Sequence, residues 1–494
     1  MRIPHREQLQ LDCPPVSQVA LNLDCRDRII PILRALQHIY SRSEILQPAL
    51  GLIANDVLGD ADPDLGREGM TLWQIFVLAA IRQGCQFTYD HLQDLAENHR
   101  VLQQMMQVGD WEQATFNWRK IRDNVCHVQP QTIEKINHLV IQEGHRLVPE
   151  AAEAIRGDSF VVETNIHYPT ESRLILDGLK KILTLAPQLA TLLDQIGWRQ
   201  SGSLWKKAKR AGREIDRIKK GAHHEERLQA AYGKLFHITD LVLPRVQTLL
   251  EEALGSLPNN AEGCLPATEA SQLYQDLIYW QAVTEHVCGT AWRRVMKGVQ
   301  VPNSEKLFSL FEPHTELIKR GKMAQPVQWG HKLLVMEDAA GFICHYKIVP
   351  LRAEERDLLI PEMKVLQARL LGRIRRASFD RGFHSPSNQE ELARIVPHPC
   401  VPMPGRHQSA EQESTATIEF RQARQHHPGI ESAIGALQSG NGLERCRDHS
   451  YVGYERYIGL GILGRNLLVL GKLLLAREHP NCEAAHSLRG QQAA

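Results

Sequence analysis

Three carboxylates occupy places from which they could act together. Asp158 stands at the head of an apolar, β-branched run, Gly-Asp-Ser-Phe-Val-Val-Glu-Thr (157–164), and polar residues follow where that run ends. Asp380 lies in Arg-Ala-Ser-Phe-Asp-Arg-Gly-Phe (376–383), and Glu431 in His-His-Pro-Gly-Ile-Glu-Ser-Ala-Ile (426–434). Moving a phosphodiester needs an activated oxygen nucleophile, a stabilised leaving oxygen and neutralised charge between them. Two divalent ions about 3.5–4 Å apart meet all three needs, and carboxylates hold them there. Mg²⁺ takes hard oxygen ligands and keeps several waters, so two or three carboxylates suffice and thiolates would be wrong. The chemistry expected of Asp158, Asp380 and Glu431 is therefore two-metal phosphoryl transfer with Mg²⁺ or Mn²⁺. Each acid also has a plainer reading. Asp158 starts a strand, Asp380 sits in a turn with Gly382, and Glu431 favours the positive end of a helix.

The elements that must position them are legible in the periodicity. Residues 1–150 read as an all-α N-terminal DNA-binding domain, whose short helices fit a helix-turn-helix unit and equally a plain bundle. Thr71 can cap a helix with Leu72, Ile75, Phe76, Ala79 and Ala80 on one face, a second helix spans 89–106, and a third spans 132–147. Strand character first appears at 159–167. Long amphipathic helices then return over 174–196, 225–254 and 268–299, and Pro244 should end or kink the middle one. Strands resume at 328–337 and 341–349 around the turn Asp338-Ala-Ala-Gly341. A helix over 354–370, a strand over 375–380, a helix over 387–395, a short strand over 398–403, a polar loop over 405–425 and a helix from Pro428 complete the order. The fold class expected is an RNase H-like mixed-sheet core interrupted by a helical insertion. The domains expected are 1–150 for the N-terminal domain, 151–172 with 305–476 for the core, 173–304 for the insertion and 477–494 for a disordered tail.

Composition narrows the class without choosing a partner. The 494 residues carry 58 basic and 57 acidic side chains, a net charge of +1, so a nucleic-acid role draws no support from the whole. Locally, Lys206 to Lys220 holds eight basic residues against Glu214 and Asp216. Ten cysteines lie scattered, with no Cys-x-x-Cys pair, which fits reduced thiols in a cytoplasm rather than a disulfide framework. The most apolar window, 457–476, contains Arg465, Asn466 and Lys472 and reads as a buried helix rather than a membrane span.

Several residues suit a nucleic-acid backbone. In the basic run these are Lys206, Lys207, Lys209 and Arg210. His167 and Tyr168, past the end of the first strand, could touch a scissile phosphate or the flanking base. Arg381 adjoins Asp380, and His314, Lys319, Lys322, His331 and Lys332 surround the hairpin. Each also reads as an ordinary surface or core residue.

A wider set of segments resembles one family. Asp158 with Val161–Ser172, Leu307–Lys332, Ser378–His384, Gly429–Leu437, Gly442–Asp448 and Tyr457–Leu468 are similar to bacterial insertion-sequence DDE transposases, in the group labelled ISNCY. Gly66–Phe76 and Leu95–Arg100 extend the likeness toward the N-terminus. The resemblance implies Asp158, Asp380 and Glu431 as the catalytic and metal-holding acids, with Glu444 in Leu-Glu-Arg as the rival for the third place. It implies double-stranded DNA as partner, both terminal inverted repeats and target, a homodimer on DNA, no membrane, and a cytoplasmic, nucleoid-associated place. The expected activity is cleavage at element ends and joining of the 3′-hydroxyl to target DNA. Two other readings stay open: an RNase H-like endonuclease without strand transfer, and a transposase-derived DNA-binding protein without catalysis. The insertion is the departure, since its basic and polar content matches no defined role. It sets Asp380 222 positions after Asp158 (380 − 158), whereas Glu431 follows Asp380 by 51 (431 − 380).

Overall fold

The computed structural model describes residues 2–6, 11–59, 62, 69–112, 115–256, 269–319, 326–351, 353–405, 408–409, 412–413 and 416–478. Lys322, and the expected tail beyond residue 478, lie outside the described residues. The chain divides into two compact units, Met1–Asn165 with Gly330–Ala494, and Ile166–Trp329.

In the first unit, α1 (Ile29–Tyr40), α2 (Ser43–Leu58), α3 (Leu72–Gly84), α4 (Tyr89–Asn98), α5 (Arg100–Met105), α6 (Trp118–His127) and α7 (Pro130–Leu147) precede β1 (Ala154–Glu163). Thr71 caps α3 as expected, and with Gln74 closes a capping box. The single helix expected over 89–106 is two, because His99 leaves helical geometry and its side chain caps α5. All of α3 is buried. These helices share one apolar core with the sheet, running from Ile32 and Trp73 through Leu334 and Phe379 to Leu467. The all-α segment is thus part of a larger unit and does not stand apart as 1–150.

The second unit is built from α8 (Glu171–Leu192), α9 (Ser201–Asp216), α10 (His224–Ser256) and α11 (Glu269–Lys297), with their own apolar core. As a compact body this helical unit extends over 166–329, where the sequence placed an insertion at 173–304. Pro244 does not end α10. Its carbonyl accepts from Thr248 Oγ1 (3.1 Å), and the helix runs on to Ser256.

The remaining strands are β2 (Glu316–Lys319), β3 (Val327–Asp338), β4 (Ile343–Ile348), β5 (Arg376–Phe379) and β6 (His398–Cys400). They form a mixed six-stranded sheet in the order β2-β3-β1-β5-β6, with β4 also on β3. β3 runs antiparallel to β1 and β4, whereas β1-β5 and β5-β6 are parallel. The turn between β3 and β4 is held by Asp338, whose Oδ1 accepts from the N–H groups of Ala340 and Phe342, each at 2.9 Å. After the hairpin come α12 (Glu355–Arg369), α13 (Pro386–Ile395), α14 (Ile418–His426) and α15 (Gly429–Gly435). The polar stretch expected as a loop over 405–425 contains α14, capped by Thr417.

The last helix, α16 (Tyr451–Glu478), is apolar on nearly every side because protein surrounds it. It is long and apolar enough to cross a membrane, yet most of its apolar window is buried in the unit. Asn466, fully buried, fixes its register: Oδ1 accepts from Ile343 N (2.8 Å), and Nδ2 donates to Ile343 O (3.0 Å) and Asn137 Oδ1 (2.8 Å). The helix approaches α3 where Gly464 meets Gly84, since a Cβ at Gly464 would lie 2.7 Å from Gly84 Cα.

Candidate active site

The sheet register brings two of the three acids to one edge. On the parallel pair β1-β5, Gly157 stands opposite Phe379, so Asp158 and Asp380 follow side by side as the chains leave the pairing. Gly157 lets the strands close here, because a Cβ would sit 2.3 Å from the Phe379 ring. Alternation then sends Asp158 to the face that carries Phe160 and Val162, and Asp380 to the face of Ser378. α15 packs Ile430, Ala433 and Ile434 into the core of that face, with Glu431 in its first turn. One oxygen of each aspartate accepts from the next residue's backbone N–H, Ser159 for Asp158 and Arg381 for Asp380, both at 2.7 Å.

The electrostatics record the convergence. The Asp158 carboxyl is pushed up to about 6, first by burial and then by the negative charges of Asp380, Glu355 and Glu431, against one lowering hydrogen bond from Ser159. Three neighbouring carboxylates therefore act on Asp158. Glu355 opens α12, accepts from Ser159 Oγ (2.7 Å) and pairs with Lys332 (2.8 Å). His427, beside the cluster, is held below its ordinary value by burial although Asp380 and Glu431 pull the other way; its Nδ1 lies 3.2 Å from Ser378 Oγ. Carboxylate oxygens are the ligands that a hard divalent cation such as Mg²⁺ takes.

The other residues singled out in the sequence are placed as follows. Glu444 is exposed and joins the end of β1 through its backbone carbonyl, which accepts from Glu163 N (3.0 Å). His331 does not face solvent as a backbone contact would require. It is 4% exposed and lies edge-on to Tyr454 (5.1 Å) and Tyr451 (5.8 Å), because β3 is covered on both faces. Lys332 is committed to Glu355, beside the acids rather than out on a groove. Arg381 is exposed next to Asp380. In the second unit, Lys206, Lys207, Lys209 and Arg210 all lie on the exposed side of α9, opposite buried Leu204, Ala208 and Ala211. His167 is 3.5 Å from Asp177, Tyr168 is exposed, His314 is 3.0 Å from Glu312, and Lys319 is exposed on β2.

Sequence reasoning missed Glu355, since Ala-Glu-Glu-Arg-Asp reads as the acidic first turn of any helix. It also missed a second group. His145, Asp338 and Cys344 are all buried, with ligand atoms within 4.8 Å of one another, a set that could hold a metal ion. Their own hydrogen bonds already close it: Asp338 Oδ2 is 2.7 Å from His145 Nε2 and 3.4 Å from Cys344 Sγ. As it stands this group pins the β3-β4 turn to α7, and burial with the Asp338 charge drives the Cys344 thiol well above its ordinary value.

Compared with known proteins, the chain matches no family model, no curated protein and no solved structure.

Proposed function

We propose that the protein is a DDE transposase that cuts at the ends of an insertion element and joins the freed 3′-hydroxyl to target DNA. The observation that carries this reading is the register of two adjacent parallel strands, which sets Asp158 on β1 beside Asp380 just past β5, with Glu431 and Glu355 near enough for their charges to act on Asp158. The strand order β4-β3-β1-β5-β6, antiparallel only at β3, supports an RNase H-like core. So does the break between β1 and the hairpin, where a separate helical unit is inserted. Asp158, Asp380, Glu431 and Glu355 are the residues that would hold Mg²⁺. Bound there, the ions would supply an activated oxygen nucleophile and offset the charge of the phosphodiester. Lys332 holds Glu355 in place, and Arg381, exposed beside Asp380, would meet a phosphate of bound DNA. The basic face of α9 contacts the DNA backbone, and Arg82 and Asp448 keep the Gly442–Asp448 segment fixed beneath the end of β1.

The test is incubation of the purified chain with Mg²⁺, a duplex carrying the element's own end and a supercoiled target plasmid. Joined end–plasmid product supports transposition. Hydrolysis without joining would favour an endonuclease, and specific binding without either product a DNA-binding relic.

A further inference from the structure

At the end of the sheet where β1 and β5 begin, the first unit holds a cavity of about 330 Å³. Its volume lies within the about 300–1,000 Å³ usual for small-ligand sites. Arg156, Arg376 and Ser378 line it from the strands, and His426 from the end of α14. Asp338 borders it too, but it stands opposite Ile155, so alternation sends its carboxylate to the other face of the sheet, toward His145. Arg156 stands opposite Ser378 on the parallel pair, and both point to the face that carries Asp158 and Asp380. Arg156 precedes Asp158 by two residues, about 7 Å along the strand. Arg376 precedes Asp380 by four on β5. One face of the sheet thus presents guanidinium groups first and carboxylates next.

The two arginines differ in how they are held. Arg156 is fixed: Nε and Nη2 each lie 2.7 Å from Glu337 Oε2, and Nη1 donates to the His426 carbonyl (3.2 Å). Further N–H groups remain on both terminal nitrogens. Arg465 Nη2 lies 3.7 Å from the other Glu337 oxygen, so one carboxylate serves two guanidiniums and positive charge is left over. Arg376 is half-buried, and its side chain has no ion-pair or hydrogen-bond partner among the described residues. We infer that this cavity binds a phosphate of the DNA strand held at the acids, next along from the scissile one. Arg376 is its principal ligand and Arg156 the fixed second, since a guanidinium fork matches phosphate oxygens. The short step along β1 from Arg156 to Asp158 is of the order of the step between successive phosphates. The inference rests on the transposase reading for the identity of the strand, and on the two arginines for the site.

The probe is a set of duplexes bearing the element's end, each with one phosphate replaced by a neutral methylphosphonate. Binding to the full chain is read by fluorescence anisotropy without divalent cations, so that no strand is cut. In the wild type, one replacement flanking the cut should weaken binding about tenfold, as loss of one charge-assisted contact predicts. Arg376→Gln should weaken binding of the unmodified duplex by the same factor and lose nothing further at that one position. Its slope of log affinity against log salt should fall by about 0.9, the share of one phosphate, and Arg376→Lys should restore it. Comparing two duplexes on one preparation cancels any loss of folded protein in the variant. Additive losses for Arg376→Gln at every position, or an unchanged salt slope, would overturn the inference. So would inorganic phosphate that raises the Tm of the wild type but not of Arg376→Gln while displacing no DNA, because the pocket would then serve free phosphate. Mg²⁺-dependent cleavage of the unmodified duplex separates the two ideas. Cleavage with no position coupled to Arg376 removes the phosphate pocket alone, and coupling without cleavage keeps the pocket while removing the transposase reading.

Discussion

Asp158 and Asp380 each stand one residue beyond a directly paired position, Gly157 opposite Phe379, on two parallel strands. Their closeness is thus set by the backbone register of the sheet and not by flexible side chains. Glu431 and Glu355 arrive from the starts of two helices, α15 and α12, and the negative charge of all three neighbours acts on Asp158.

The folded state raises the Asp158 carboxyl from 3.8 to about 6, so ionising it opposes folding. Below about pH 4 the group is protonated both folded and unfolded and contributes nothing. As pH rises from 4 to 6 the unfolded chain ionises first, and stability falls. Above 6 the penalty is constant. Without divalent cations, Asp158→Asn should therefore melt above the wild type at pH 8, and the gap should close as pH falls to 4. Adding Mg²⁺ at pH 8 should raise the wild-type Tm more than the variant's. Thermal melts at pH 4, 6 and 8 check both points.

The same value sets a limit on activity. Cation binding needs Asp158 ionised, so at sub-saturating Mg²⁺, where protons compete with the cation, DNA cleavage should drop about tenfold per pH unit below about 6. A rate profile from pH 5 to 8 tests this, and a flat profile would remove Asp158 from the site.

Arg82 and Asp448 form a buried bidentate pair, with bonds of 2.5 and 3.2 Å and side chains only 5% and 8% exposed. Tyr89 lies under the guanidinium at 4.2 Å. Removing one partner leaves a buried charge alone, which costs about 3–5 kcal/mol. Arg82→Met and Asp448→Asn should each lower urea stability by that order, whereas the double variant should lose less than the sum of the two.

The meeting of α3 and α16 depends on two small residues. A Cβ at Gly464 would press on the Gly84 backbone at 2.7 Å. Gly464→Ala should destabilise by about 1–3 kcal/mol, the usual cost of overpacking. Chemical denaturation measures it, and an unchanged midpoint would mean that the helices can part freely.

Much of this architecture was legible in the residues. An apolar, β-branched run marked β1, and Asp338 with Gly341 marked the turn of the hairpin. The acids at 158 and 380 stood out because each adjoined a strand. Glu355 did not, because acids at a helix start need no further explanation, and only the fold brings it to Asp158. His331 misled for the opposite reason: its polar type suggests a surface, but Tyr451 and Tyr454 cover that face of β3 from 120 residues later in the chain (451 − 331). The helix at 418–426 hid in a polar segment because none of its residues is buried, leaving no apolar stripe to read.

The central claim is that Asp158, Asp380 and Glu431 together form a cation-dependent phosphoryl-transfer site. The most direct measurement is Mg²⁺-dependent cleavage of a labelled duplex bearing the element's end. It should compare the wild type with Asp158→Asn, Asp380→Asn, Glu431→Gln and Glu444→Gln at matched DNA occupancy. The account predicts cleavage by the wild type and Glu444→Gln, with loss of at least about 100-fold in the other three. Cleavage retained by Glu431→Gln but lost in Glu444→Gln would contradict the assignment of the third acid. Cleavage retained in both aspartate variants would contradict the site itself.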